Sequence, residues 1–226
     1  RLHLSFNVHL REARLCQGKW QAARSSLEEA LACMRGVDKR RGTLYAQVAL
    51  GVWEAERGNL AAAQEWWQRT LSLPASPGAA FLQAEAQVQI GYYLMRFERF
   101  DEAERLLITA LPPLLDQTHG VTFATAINHL ALLYALWGRT AQAQLLFQRA
   151  AALVCNLGTV RQSIGLLLTY GQLCLAQADA NRAAQALGVV SAHRASTHSQ
   201  AALARRLMAV HRLTGEAGLS PQAVVA

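Results

Sequence analysis

An alanine recurs every 40 residues along this chain: Ala23, Ala63, Ala103, Ala143 and Ala183 share one phase that never slips over five copies. Four residues after it stand Leu27, Trp67, Leu107, Phe147 and Leu187, all large and apolar. Seven residues before it stand Cys16, Glu56, Arg96, Leu136 and Ala176, which share nothing. A period that fixes some positions and frees others marks a stacked repeat, in which each copy buries its apolar face against its neighbours. The expectation is one elongated domain over 1–215, with 216–226 as a tail or linker.

Other phases say what each copy contains. Trp20, Leu60, Phe100, Thr140 and Ala180 come three residues before the alanine, and Ala30, Thr70, Ala110, Ala150 and Val190 seven after it. Twelve before it come Arg11, Gly51, Gly91, Ala131 and Gly171, so four of five copies offer a small residue where a neighbouring helix can approach closely. Apolar residues recur at three and four within a copy, which predicts two antiparallel helices joined by a short turn. Ala, Leu, Gln, Arg and Glu favour helix, and only five prolines interrupt it. The predicted helices are 2–17, 20–35, 41–57, 60–73, 80–96, 100–117, 121–137, 140–156, 160–177, 180–195 and 199–214.

Glycine at a helix C-terminus tolerates the left-handed conformation, so Gly18-Lys19, Gly58-Asn59 and Gly138-Arg139 should close the first helix of their copies. Glu98 replaces that glycine in the third copy. Between copies, breaks are expected near Gly36-Val37-Asp38, Pro74 to Gly78, Thr118-His119-Gly120 and Asn156-Leu157-Gly158, and Pro112-Pro113 should bend or shorten its helix. The eleventh helix, with Leu203, Leu207, Val210 and Leu213, should cap the array. The fold class is thus an all-α solenoid of about five antiparallel helix pairs plus a C-terminal capping helix.

Composition narrows the setting. The four cysteines form no CxxC pair and read as buried thiols in a reducing cytoplasm, and the seven histidines show no metal-ligand spacing. The uncharged stretch from Gly120 to Gly138 carries Thr122, Thr125, Asn128 and His129 in register with the repeat, which argues against a membrane span. The net charge of +7 is uneven: Lys and Arg outnumber acids nine to four over 1–42 and eight to two over 121–226, while acids lead nine to five between. Such ends can attract nucleic acid, but no basic cluster is interleaved with stacking aromatics, and a solvated exterior is the favoured reading.

The order of an apolar residue and glycine, a turn, an aromatic or aliphatic residue, then Ala and a bulky residue resembles the tetratricopeptide repeat. Leu50-Gly51, Leu60, Ala63 and Trp67 show it best, although the period exceeds the 34 residues usual for that repeat. The resemblance implies a right-handed superhelix. Asn181 to Gly188, Ala192-His193-Arg194 and the stretch from Ala201 to Leu213 look like the last repeats of LuxR-type and MalT-like ATP-dependent bacterial transcriptional regulators. That similarity implies a cytoplasmic sensor module beside a nucleotide-binding switch and a helix-turn-helix domain, receiving a small-molecule inducer or a protein partner. Neither companion domain is legible here: Gly18-Lys19-Trp20 lacks the glycine spacing and hydroxyl of a phosphate cradle.

In tetratricopeptide arrays the first helix of each copy lines the inner face. By that analogy the face holds Ser5, Val8 and Glu12; Tyr45, Val48, Val52 and Glu56; Glu85, Val88, Tyr92 and Arg96; Thr125, Asn128 and Leu132; and Leu168 and Gln172. Mainly apolar with a few polar groups, such a groove suits a small organic ligand or a peptide helix. Val8, Val48 and Val88 stand where a carboxylate clamp would need Lys and Asn, so that use is not expected. The candidate contact residues are Tyr45, Glu85, Tyr92, Arg96, Asn128 and Gln172, with the alternative that the tyrosines pack between helices. Trp66 is either an exposed interface anchor or a filler of the groove to the adjacent copy.

No catalytic constellation appears. Asp101, Glu102 and Glu104 suit the first turn of a helix, and Ser191, His193 and His198 suit a solvated turn. The expectation is a protein that is not an enzyme, has no cofactor or metal, and contacts DNA only through another domain. The alternative is a free-standing scaffold that binds proteins or self-assembles.

Overall fold

The computed structural model describes residues 24–25, 27–29, 39–72, 80–115, 120–157 and 159–213. Among them no strand occurs, and helices follow one another in pairs. They are α1 (Lys39–Glu56), α2 (Leu60–Leu71), α3 (Ala80–Arg96), α4 (Phe100–Leu115), α5 (Gly120–Leu136), α6 (Thr140–Leu157), α7 (Val160–Ala176), α8 (Ala180–Ala192) and α9 (His198–Val210). Residues 24–25 and 27–29 are helical, within the expected 20–35; the expected helix 2–17 and the tail 216–226 lie outside the described residues. Pro112 and Pro113 lie inside α4, so the helix continues past them to at least Leu115; the rest of the expected span, to 117, lies outside the described residues.

The chain divides into two compact units, 1–117 and 118–226. In the first, α1 pairs with α2 and α3 with α4, while α1 also packs along α3. In the second, α5 pairs with α6 and α7 with α8, α5 packs along α7, and α9 closes on α8 with a lighter contact to α7. The first unit therefore joins its two helix pairs chiefly through their first helices, while in the second α6 also packs on α7 nearly as extensively as α5 does.

One turn is used four times. Gly58, Glu98, Gly138 and Ala178 hold φ of +81°, +62°, +81° and +59°. Their amides donate to the carbonyls of Ala55, Met95, Ala135 and Leu175, and the next amides reach back to Glu54, Leu94, Tyr134 and Cys174. This is the Schellman closure, which satisfies carbonyls left over at a helix end. The fixed alanine begins the next helix by donating its amide to the carbonyl of Asn59, Arg99, Arg139 or Asp179. Asn59 and Asp179 add side-chain caps on Ala62 and Arg182.

The fixed phases are packing positions. Ala63, Ala103, Ala143 and Ala183 are 0% exposed, as are Thr70, Ala110, Ala150 and Val190. Trp67, Leu107 and Leu187 press on the glycines 16 residues before them. A Cβ on Gly51 would lie 2.1 Å from Trp67 Nε1, on Gly91 2.8 Å from Leu107 Cγ, and on Gly171 2.7 Å from Leu187. The copy with Ala131 has a half-buried bulky partner, Phe147, stacked on Tyr170 with ring centres 6.0 Å apart.

At the last helix, α9 buries Ser199, Leu203, Ala204 and Leu207. Val210 was expected on that face but is 67% exposed, because the helix ends there and the core stripe stops one turn earlier. Its start is fixed by a capping box between Thr197 and Gln200. No described helix is long and apolar enough to cross a membrane.

Candidate functional site

Within each unit the first helices of the two paired copies lie side by side, so residues of equal phase can meet across the seam. In the first unit two such pairs form, each 40 residues apart. The Tyr45 hydroxyl donates to the Glu85 carboxylate. Near the other end of α1, Glu56 Oε1 accepts from Arg96 at 2.9 Å and from the Tyr93 hydroxyl at 2.8 Å. The Glu56 and Arg96 side chains are 5% and 20% exposed. Burial works to lower the Arg96 pKa, but Tyr92, Glu56 and Tyr93 outweigh it and raise it above the ordinary arginine value. The guanidinium stays charged and also lies over the Tyr93 ring, 5.5 Å from its centre.

Aromatic packing locks this cluster. Tyr92 meets Tyr93 edge-on at 5.4 Å, and Tyr93 meets Trp67 at 6.2 Å. Tyr92 is buried, so it takes the packing alternative rather than an open groove position. Trp66 is not an exposed anchor. It is half-buried against Leu27, Ala49 and Leu50, with the Arg69 guanidinium 4.9 Å above its ring, and so fills the groove toward the adjacent copy.

The expectation of a mainly apolar inner face needs correction. Val48, Val88, Leu132 and Leu168 are buried, because the seams between α1 and α3 and between α5 and α7 run along that stripe. The partly open remainder is mostly polar: Tyr45, Glu56, Glu85 and Arg96 in the first unit, with Val52 the apolar exception, and Thr125 and Gln172 in the second.

In the second unit the seam is neutral. Asn128 is buried, and its Oδ1 accepts from Thr169 at 2.8 Å. Gln172 is half-buried, and its Oε1 is enclosed without a hydrogen-bond partner. Gln200 reaches the same region from α9: its Nε2 and Asn128 Nδ2 both approach the position a Cβ on Gly165 would occupy. Thr169, Gly165 and Gln200 are absent from the sequence-based set. Gly165 is the sole glycine at the phase of Ser5, Tyr45, Glu85 and Thr125, a signal that was readable.

The groups weighed for catalysis have local duties. Asp101 and Glu102 fall in the first turn of α4, where Glu102 pairs with Arg99. Ser191 donates to the Gly188 carbonyl within α8, and His193 Nδ1 accepts from the Ala195 amide at 3.0 Å in the α8–α9 turn. No protein-family model and no curated protein matches this sequence.

Proposed function

We propose that this chain is a non-catalytic sensing and interaction module of a bacterial transcriptional regulator, acting in the cytoplasm. It receives a small-molecule inducer or a partner protein on its first helices, and DNA is contacted by a separate domain. The observation that carries this reading is a constant frame with a variable lining. Four helix pairs reuse one turn and one set of buried positions, whereas the seam residues change from charged pairs to neutral carboxamides. Repeat proteins place specificity in the positions that packing leaves free. The 40-residue period and the tetratricopeptide-like order favour right-handed superhelical stacking of the copies.

The test is the coding sequence on either side of this stretch. A nucleotide-switch domain and a helix-turn-helix domain are expected there; a gene encoding neither overturns the regulator assignment. Self-assembly as a scaffold is the second reading, favoured by the exposed Ile108 and Leu115 on α4. Light scattering that rises with concentration and falls in an Ile108→Ser, Leu115→Ser variant would select it.

A further inference from the structure

The outer face of α4 combines charge and apolar surface. Asp101, Glu104, Ile108, Leu111 and Leu115 follow one another at three and four, so they form one stripe that is acidic where the helix starts and apolar where it ends. Ile108 and Leu115 are 48% and 60% exposed. Arg105 flanks the stripe, but its Nε turns back toward the Asp101 carbonyl of its own helix, 3.4 Å away.

The open side of α9 has the opposite character. The helix contains no acid, and it buries Ser199, Leu203, Ala204 and Leu207. On the other side His198, Ala202, Arg205, Ala209 and Arg212 again follow at three and four, and the last three are exposed. Asp179 is the one acid among the described residues of the second unit, and Arg182 engages its carboxylate through both the backbone amide and the guanidinium. Arg205 and Arg212 therefore find no open carboxylate among the described residues of their own unit.

We infer that the outer face of α4 in one molecule docks on the open side of α9 in a second copy of this chain. Set antiparallel, the acidic first turn of α4 meets Arg205 and Arg212, while Leu111 and Leu115 lie over Ala202, whose small side chain lets the helices approach closely. Two α9 faces cannot pair in this way, because arginine would oppose arginine. Nucleic acid would satisfy the arginines but leave Ile108 and Leu115 in water, and α9 offers no aromatic side chain for a base to stack on. The contact is heterologous, so each molecule keeps one face open for another copy. This docking rests on the self-assembly reading and names its two faces.

The experiment is sedimentation velocity on the full chain and on two charge-reversed variants, Arg205→Glu with Arg212→Glu, and Asp101→Arg with Glu104→Arg. The parent should associate as its concentration rises and dissociate with added salt. Each variant alone should associate about tenfold or more weakly, with circular dichroism still helical. An equal mixture of the two should associate again, because the acidic α4 of the first variant meets the basic α9 of the second. A mixture no stronger than its components, or association that salt leaves unchanged, overturns the docking. Association weakened by Ile108→Ser with Leu115→Ser but not by the arginine variant also overturns it, and leaves self-assembly standing. A parent that stays monomeric removes both, and arginine-dependent binding of single-stranded DNA by that monomer replaces the second copy with nucleic acid.

Discussion

Glycine does different things at different phases of this repeat, and the difference has a sign. Gly91 faces Leu107, so Gly91→Ala sets a Cβ 2.8 Å from Leu107 Cγ and overpacks the helix pair. The expected loss is about 1–3 kcal/mol, despite alanine's better helix propensity. Gly188 lies inside α8 with nothing within 4 Å of where its Cβ would stand, so Gly188→Ala should gain about 0.5–1 kcal/mol. Urea unfolding of the two variants beside the parent checks both, and destabilisation of similar size in each would contradict the packing argument. The two described cysteines differ as well. Burial pushes the Cys174 thiol up, partly offset by the hydrogen bond from Tyr170, while Cys155 is exposed. Iodoacetamide at pH 8 should therefore alkylate Cys155 in the folded protein and reach Cys174 only on unfolding, as peptide mass analysis would show.

The helix pair is the element whose ends and core were most legible in the sequence. Fixed alanines and bulky residues record packing within a copy, and a period of 40 repeats that record until it is unmistakable. The repeat phase placed a turn at Glu98 although no glycine stands there, and Glu98 adopts the left-handed conformation seen at Gly58. The packed helices on either side and the two closing hydrogen bonds hold it there. That conformation costs an L residue about 1 kcal/mol. Glu98→Gly and Ala178→Gly should each stabilise the protein by about that amount, read as a higher urea midpoint; an unchanged midpoint in both would remove the strain argument. Less legible were the contacts between copies. Hydrophobic spacing tells which stripe of a helix is apolar, but whether that stripe faces a groove or the next copy depends on how closely the first helices approach. Val48 and Val88 were therefore assigned to a surface and lie in a seam, and Tyr92 takes the packing alternative. Glu56 and Arg96, opposite charges at one phase of adjacent copies, were the available clue.

Across the molecule, energetic coupling should follow those seams rather than distance along the chain. In stacked repeats each copy interacts with its neighbours, so stability is close to a sum of copy terms and boundary terms. Glu56 and Arg96 sit in different copies but share one boundary through a 2.9 Å ion pair of low exposure. Arg96→Met leaves the Glu56 carboxylate enclosed without its cation and should cost about 3 kcal/mol. Adding Glu56→Gln removes the stranded charge, so the double variant should recover part of that loss, with a coupling of about 1–2 kcal/mol. Gly91→Ala and Gly171→Ala form the contrasting pair: their Cβ atoms would meet Leu107 and Leu187, with no shared partner, and they lie in separate compact units. Their effects should add to within about 0.5 kcal/mol. Chemical unfolding of both sets of single and double variants tests the scheme. Additive behaviour at the ion pair, or strong coupling between the two glycines, would mean that stability is not partitioned by the 40-residue boundaries.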